Sequence, residues 1–204
     1  MSDRDAFKER ERALEDSYFQ KREQELIEKQ RRKVAIERAR EKLSEKTGIT
    51  NEVILQALQD LGYDHETVRL LHLMPVIYVA WADGKMKEKE RNMILEVAKL
   101  GGIDEGSKAH ERLSGLLQEA PSEEVWDASF LAVRAVLQAG AKDQAEDVRK
   151  SVLDYSASIA SLSKGLFGLD LGARAEHTAL ERVVAELGTE SSKAVKEMED
   201  RLKA

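Results

Sequence analysis

The chain has 204 residues, of which 42% are hydrophobic and only 5% aromatic, with two prolines and no cysteine. That is apolar material for one ordinary core plus an appendage, and the lack of cysteine excludes a disulfide frame and thiolate metal sites. The net charge of −6 is unevenly placed: residues 1–46 carry 14 Lys and Arg against 12 Asp and Glu, and the rest carry 19 against 27, a mixed-sign arm on an acidic body that suits neither nucleic acid nor an anionic membrane.

The chain begins MSDRDAFKERE, which has no apolar core and does not read as a secretory signal. Ala, Leu, Glu, Lys and Arg abound and β-branched runs are sparse, so the expected fold class is all-α. The longest near-apolar run, Leu70–Ala82, contains His72 and Pro75 and is too short to span a bilayer. The expectation is a cytoplasmic protein with no membrane insertion.

Residues 3–46 read as one long charged helix, with no Gly or Pro before Gly48. Acidic and basic residues alternate at three- and four-residue spacing, each pair supporting an isolated helix by about 0.2–0.5 kcal/mol. Phe7, Leu14 and Tyr18 share one face, Phe19 and Leu26 an adjacent one, and Ile27 and Val34 another. The stripe drifts, so no heptad seam is sustained. The arm is either a solvated or partly disordered charged helix or a ligand for a groove on another protein.

From Ile49 the texture changes to short helices with punctuation. Thr50 is a candidate cap for a helix ending at Leu61-Gly62, and Asp64 for a long helix from His65 to about Ala82, kinked at Pro75. Leu70, Leu71, Met74, Ile77, Tyr78 and Trp81 give that helix a broad apolar face and mark it as central. Asp83-Gly84 breaks the chain. Further helices are expected over Lys87 to Leu100, Asp104 to Glu119, Pro121-Ser122 to Ala139, and Lys142 to Ser163. A Gly-rich loop, KGLFGLDLG at 164–172, precedes a helix from about Arg174 to Leu187 and a charged tail from Thr189. The domains are therefore an arm (1–46), a helical body (49–188) and a tail (189–204).

The body contains a weak internal repeat. WADGKMKEKERNMILEVAKLG returns as GLDLGARAEHTALERVVAELG at an offset of 87, which places Asp170 on Asp83, Leu180 on Met93 and Val184 on Val97. Each copy is an acidic turn followed by an amphipathic helix closing on Leu-Gly, so two related hairpins can bury faces that neither buries alone.

The stretch LHLMPVIYVAWADG, Leu71–Gly84, with Glu90 seven residues after Asp83, resembles the TerB tellurite-resistance family over roughly residues 50–190. The second copy departs from it: His177 stands where a Glu is expected, with Glu176 one residue earlier. The resemblance implies a TerB-like bundle of two related hairpins and a divalent cation held by Asp83, Glu90, Asp170 and Glu176. Carboxylate oxygens suit a hard ion such as Ca²⁺ or Mg²⁺. The structural alternative is equally physical. Asp-Gly makes a turn, and acidic groups near a helix N-terminus stabilise its dipole without metal.

Residues 7–26, FKERERALEDSYFQKREQEL, resemble the inhibitory segment of the mitochondrial ATPase inhibitor protein. Phe7, Arg10, Glu11, Ala13, Glu15, Tyr18 and Phe19 match that pattern without a gap. The resemblance implies a helix that enters the interface between catalytic subunits of a rotary F-type ATPase, with Glu15 pairing an arginine there and Tyr18 and Phe19 filling an apolar groove. The family's His-bearing coiled-coil tail is missing, so pH control is not implied.

No catalytic constellation emerges. HETVRLLH has its histidines too far apart for a zincin motif, and GLFGLDLG lacks the Lys-Ser/Thr of a phosphate loop. His65 and His72 read as one exposed and one half-buried residue, and Trp81 and Trp126 as core. The expected function is non-enzymatic: a regulatory or interaction protein whose arm, joined to a TerB-like domain, binds a partner, with inhibition of ATP hydrolysis by a rotary F-type ATPase the candidate that the resemblance implies, and with no certain cofactor. The alternative is a TerB-type stress-response scaffold that binds a divalent metal. A homo-oligomer is compatible with either.

Overall fold

A computed structural model describes residues 3–162 and 171–188, with side chains from residue 20 onward except those of 171, 173 and 188. The chain divides into two units, Met1–Glu41 and Lys42–Ala204. Among the described residues there are eight α-helices, one 3₁₀ helix and no strand. The protein is all-α.

Helix α1, Asp3–Thr47, is a single 45-residue helix. Residues 20–38 are all exposed, including the large apolar groups Leu26, Ile27, Val34 and Ile36. Its last turns behave differently. Leu43 is fully buried within the second unit. There the helix is closed by Thr47 Oγ1 donating to the Leu43 carbonyl at 2.7 Å, and Ser44 Oγ donates to the Ile49 carbonyl at 2.6 Å. The boundary between arm and body thus falls within the helix, a few residues before the change of texture at Gly48.

In the second unit, α2 (Glu52–Asp60) is capped by Asn51 rather than Thr50. Asn51 Oδ1 accepts from the backbone N–H of Val53 at 2.9 Å and of Ile54 at 3.3 Å. Asp64 does cap the next turn, accepting from the backbone of Glu66 and Thr67. The expected single helix over 65–82 is instead two pieces: a 3₁₀ helix, Val68–Leu73, and α3, Met74–Ala80. Pro75 is the reason. It has no N–H to give to the Leu71 carbonyl and its ring would press on that carbonyl. Met74 N–H takes the Leu71 carbonyl in the tighter pattern, and Pro75 falls in the first turn of a new helix, where a missing donor costs nothing. The chain changes helix type there; it does not kink within one helix.

α4 spans Glu88–Leu100, α5 Lys108–Gln118, α6 Glu123–Ala139, α7 Lys142–Leu162 and α8 Leu171–Gly188. α5 starts four residues later than expected, because Gly106 adopts φ +77° in a turn that no helix continues through. Ser107 then caps the helix by accepting from His110 N–H at 3.2 Å. α8 starts earlier than expected, since a first-turn glycine such as Gly172 is tolerated in a helix. The rest of the Gly-rich loop, Asp170 included, and the tail from Thr189 lie outside the described residues.

α3 is the centre of the bundle. Six of its seven residues are buried, with only Tyr78 partly accessible, and it packs against α4, α6, α7 and α8. A helix that is apolar all round belongs in such a place. Tyr78 meets Trp126 and Phe130 of α6 edge to face at 5.3 and 5.2 Å. Trp126 is buried; Trp81 is half-buried, its indole N–H donating to the Leu116 carbonyl at 2.9 Å. The hairpins α3–α4 and α7–α8 of the internal repeat meet through α3 against α7 and α8.

Candidate functional site: a lysine among three carboxylates

The turn after α3, the start of α4 and the buried face of α8 bring three acidic residues of the sequence reading to one point. Gly84 takes φ +79°, open only to glycine without strain, and its N–H donates to the Trp81 carbonyl at 2.8 Å. Asp83 Oδ1 accepts the Lys85 N–H at 3.0 Å, so the carboxylate stabilises the turn. Four residues on, Lys87 is the N-cap of α4. Lysine has no acceptor to offer as a cap. Glu90, at the third helical position, supplies the cap from the other side, its Oε2 accepting the Lys87 N–H at 3.0 Å.

The second oxygen of each carboxylate faces the Lys87 ammonium. Nζ lies 2.9 Å from Asp83 Oδ2, 3.2 Å from Glu90 Oε1 and 2.7 Å from Glu176 Oε1. Glu90 and Glu176 are fully buried, while Lys87 keeps 37% of its side chain in contact with solvent. Burial alone would lower the lysine pKa, but hydrogen bonds to Glu176, Asp83 and Glu90 outweigh it and hold the ammonium well above its ordinary value. Two buried carboxylates are tolerable only with such compensation.

Of the four residues expected as metal ligands, Asp83, Glu90 and Glu176 converge, and Asp170 lies outside the described residues. Glu176 rather than His177 turns inward. His177 is 71% exposed and sits 3.4 Å from Glu181. The distances around Nζ are those of ammonium hydrogen bonds. A hard cation needs oxygens at about 2.0–2.6 Å, and at this point it would have to displace Nζ. Among the described residues, no group of three or more His, Asp or Glu is arranged around a free centre that could hold a metal ion.

Lys87 escaped the sequence reading, although its spacing is informative: it stands four residues after Asp83 and three before Glu90, the neighbour positions of a helical turn. Arg182 of α8 was missed too. Its guanidinium donates to Tyr78 Oη at 2.8 Å, to Glu123 Oε2 at 3.3 Å and to Asp127 Oδ1 at 2.5 Å, and lies 5.0 Å from the Tyr78 ring centre. Together with the Arg134–Glu186 pair at 2.7 Å, it ties α8 to α3 and α6. Nothing in local spacing marks a contact across more than fifty residues.

The arm is the second candidate. The side chains of Phe7, Arg10, Glu11, Glu15, Tyr18 and Phe19 lie outside the described residues, though their backbone is helical. Further along, Ile27, Gln30, Arg31, Val34, Ala35 and Arg38 form one exposed face. In the body, a groove of about 390 Å³ runs between the 3₁₀ helix, the end of α4 and α7, lined by His72, Val97, Ile103, Val152 and Tyr155, with Leu100 exposed at its rim. Burial holds the His72 imidazole below its ordinary pKa. Both His65 and His72 are half-buried.

No helix among the described residues is long and apolar enough to cross a membrane. No family model, no curated protein and no solved structure matches this chain.

Proposed function

We propose that this chain is a non-enzymatic regulator that grips a protein partner with its helical arm and anchors that arm in a helical bundle. One observation carries the reading: nineteen consecutive residues of α1, 20–38, are exposed, with Leu26, Ile27, Val34 and Ile36 among them. A helical segment that leaves these apolar side chains exposed offers them to another surface. Ile27 and Val34, one heptad apart, are flanked by Arg31, Lys33, Arg38 and Arg40. The apolar stripe drifts and sustains no heptad seam for a second copy, so a short groove with an apolar floor suits it better.

The candidate partner is the catalytic interface of a rotary F-type ATPase. The order Phe7, Arg10, Glu11, Glu15, Tyr18, Phe19 supports this choice, and aromatic anchors commonly dominate helix-in-groove binding. The cognate ATPase, assayed for ATP hydrolysis with the full-length chain, tests it. Inhibition is expected below about 50 µM, lost in Glu15→Ala and in Tyr18→Ala. Full hydrolysis at that concentration across neutral pH would sink the inhibitor reading. The alternative, a stress-response scaffold binding a divalent metal, draws on the convergence of Asp83, Glu90 and Glu176, but the Lys87 ammonium at their centre weighs against it.

A further inference from the structure

We infer that Lys87 is a built-in cation: its ammonium takes the place among Asp83, Glu90 and Glu176 that a divalent ion would take, and it fastens the α3–α4 hairpin to α8 with no metal. The inference is independent of the arm and its partner.

Three carboxylates from two hairpins lie within 3.2 Å of the ammonium, within reach of its N–H donors. Two of those carboxylates have their other oxygen committed to backbone, Asp83 Oδ1 to Lys85 N–H and Glu90 Oε2 to Lys87 N–H. Each therefore presents one oxygen inward, and that oxygen is on Nζ. A divalent ion reaching the same three oxygens would sit within a few ångströms of a like charge, in a site where two of the ligands are fully buried and screening by water is weak. Occupation by metal and by ammonium is thus mutually exclusive. The charge count adds a second consequence. Three carboxylates and one ammonium sum to −2 when all are ionised, so removing the lysine charge takes from three inward oxygens the cation they share. The half-exposed stem of Lys87 marks the side from which water, and then a cation, would enter.

The geometry also explains why the second copy of the repeat carries its acid at 176. Residue 176 lies on the buried face of α8 and residue 177 on the exposed face. Only the former reaches across to Lys87, 89 residues earlier in the chain.

Thermal melting and calorimetric titration of the full-length chain with CaCl₂ and MgCl₂ test the inference, comparing wild type with Lys87→Met. Wild type is expected to show no heat of binding and no shift in Tm at millimolar concentrations of either ion. Lys87→Met is expected to melt lower by on the order of 5–10 °C, and to regain most of that with calcium. The regain should vanish in Lys87→Met/Glu176→Gln, which without calcium should be more stable than Lys87→Met because one buried charge that lost its ammonium is gone. Cation binding by wild type that is abolished in Asp83→Ala would overturn the inference. So would a Lys87→Met protein as stable as wild type without calcium. Should Lys87→Met fail to fold, the double variant decides: recovery of folding supports the built-in cation, and failure alongside a well-folded Glu176→Gln single variant overturns it.

Discussion

Residues 20–38 of α1 and residues 74–80 of α3 are both helix, for opposite reasons. The segment 20–38 is rich in Glu, Lys, Arg and Gln, good helix formers, and every residue of it is exposed. α3 reads MPVIYVA, with Val76, Ile77 and Val79 β-branched and a proline in its first turn, a poor helix on propensity alone. It is helical because six of its seven side chains are buried among four neighbouring helices. Local preference holds one helix and tertiary packing the other. Substitutions in the first should act on partners, and in the second on stability.

The largest expected effect is in α3. Ile77→Ala removes a fully buried side chain and should cost about 2–5 kcal/mol in chemical denaturation. A loss under 1 kcal/mol would break the contrast. Next is Arg182→Ala, which takes a charged donor from Tyr78 Oη and from Asp127 and unfastens α8. Its expected cost is about 1–3 kcal/mol, read in the same experiment.

Smaller still is the effect of Asp64. Burial would raise its pKa, but hydrogen bonds from Lys108, from the Thr67 side chain and from the backbone of Thr67 and Glu66 hold the carboxyl well below its ordinary value of 3.8. A depressed folded-state pKa contributes stability that is complete above the unfolded value and is lost as pH falls through the folded one. Stability should therefore decline from about pH 4 downward, and Asp64→Asn, at a cost of about 1 kcal/mol at neutral pH, should flatten that decline. Lys87 has the opposite sign. Its raised pKa contributes stability that is full below the ordinary 10.5 and lost only as pH rises through the folded value. The smallest stability effect belongs to the arm: Val34→Ala should stay within about 0.5 kcal/mol of wild type. The same change should weaken partner binding measurably, and unchanged binding in a Val34→Ala protein of wild-type stability would remove the arm face from the interface.

Most breaks between helices were legible because they rest on single residues with strong local preferences. Gly62 and Gly84 take positive φ where the chain was expected to turn, and Asp64 and Ser122 stand at the starts of the turns or helices they were expected to open. Where the reading slipped, a second local rule competed. Pro75 changed the helix type where a kink was expected, and Gly106 postponed α5 after an acidic stretch that looked helical. At the candidate site, Asp83 and Glu90 were legible in the first copy of the repeat and Glu176 only as the neighbour of the position where an acid was expected, and the group at their centre was not. A protonated lysine offers no lone pair to a metal, so it stands outside any pattern of acidic ligands.

The amino-acid sequence by itself determined the all-α class, the exposed charged arm and the apolar character of the central segment, since composition, helical period and the reach of Gly and Pro are local properties. Only the tertiary structure decided that Leu43 belongs to the bundle, that Glu176 and not His177 faces inward, and that Lys87 receives all three carboxylates. Those outcomes depend on how α8 folds back on α3, and thus on the burial of faces contributed by residues roughly ninety positions apart, a sum over many contacts that no local pattern records.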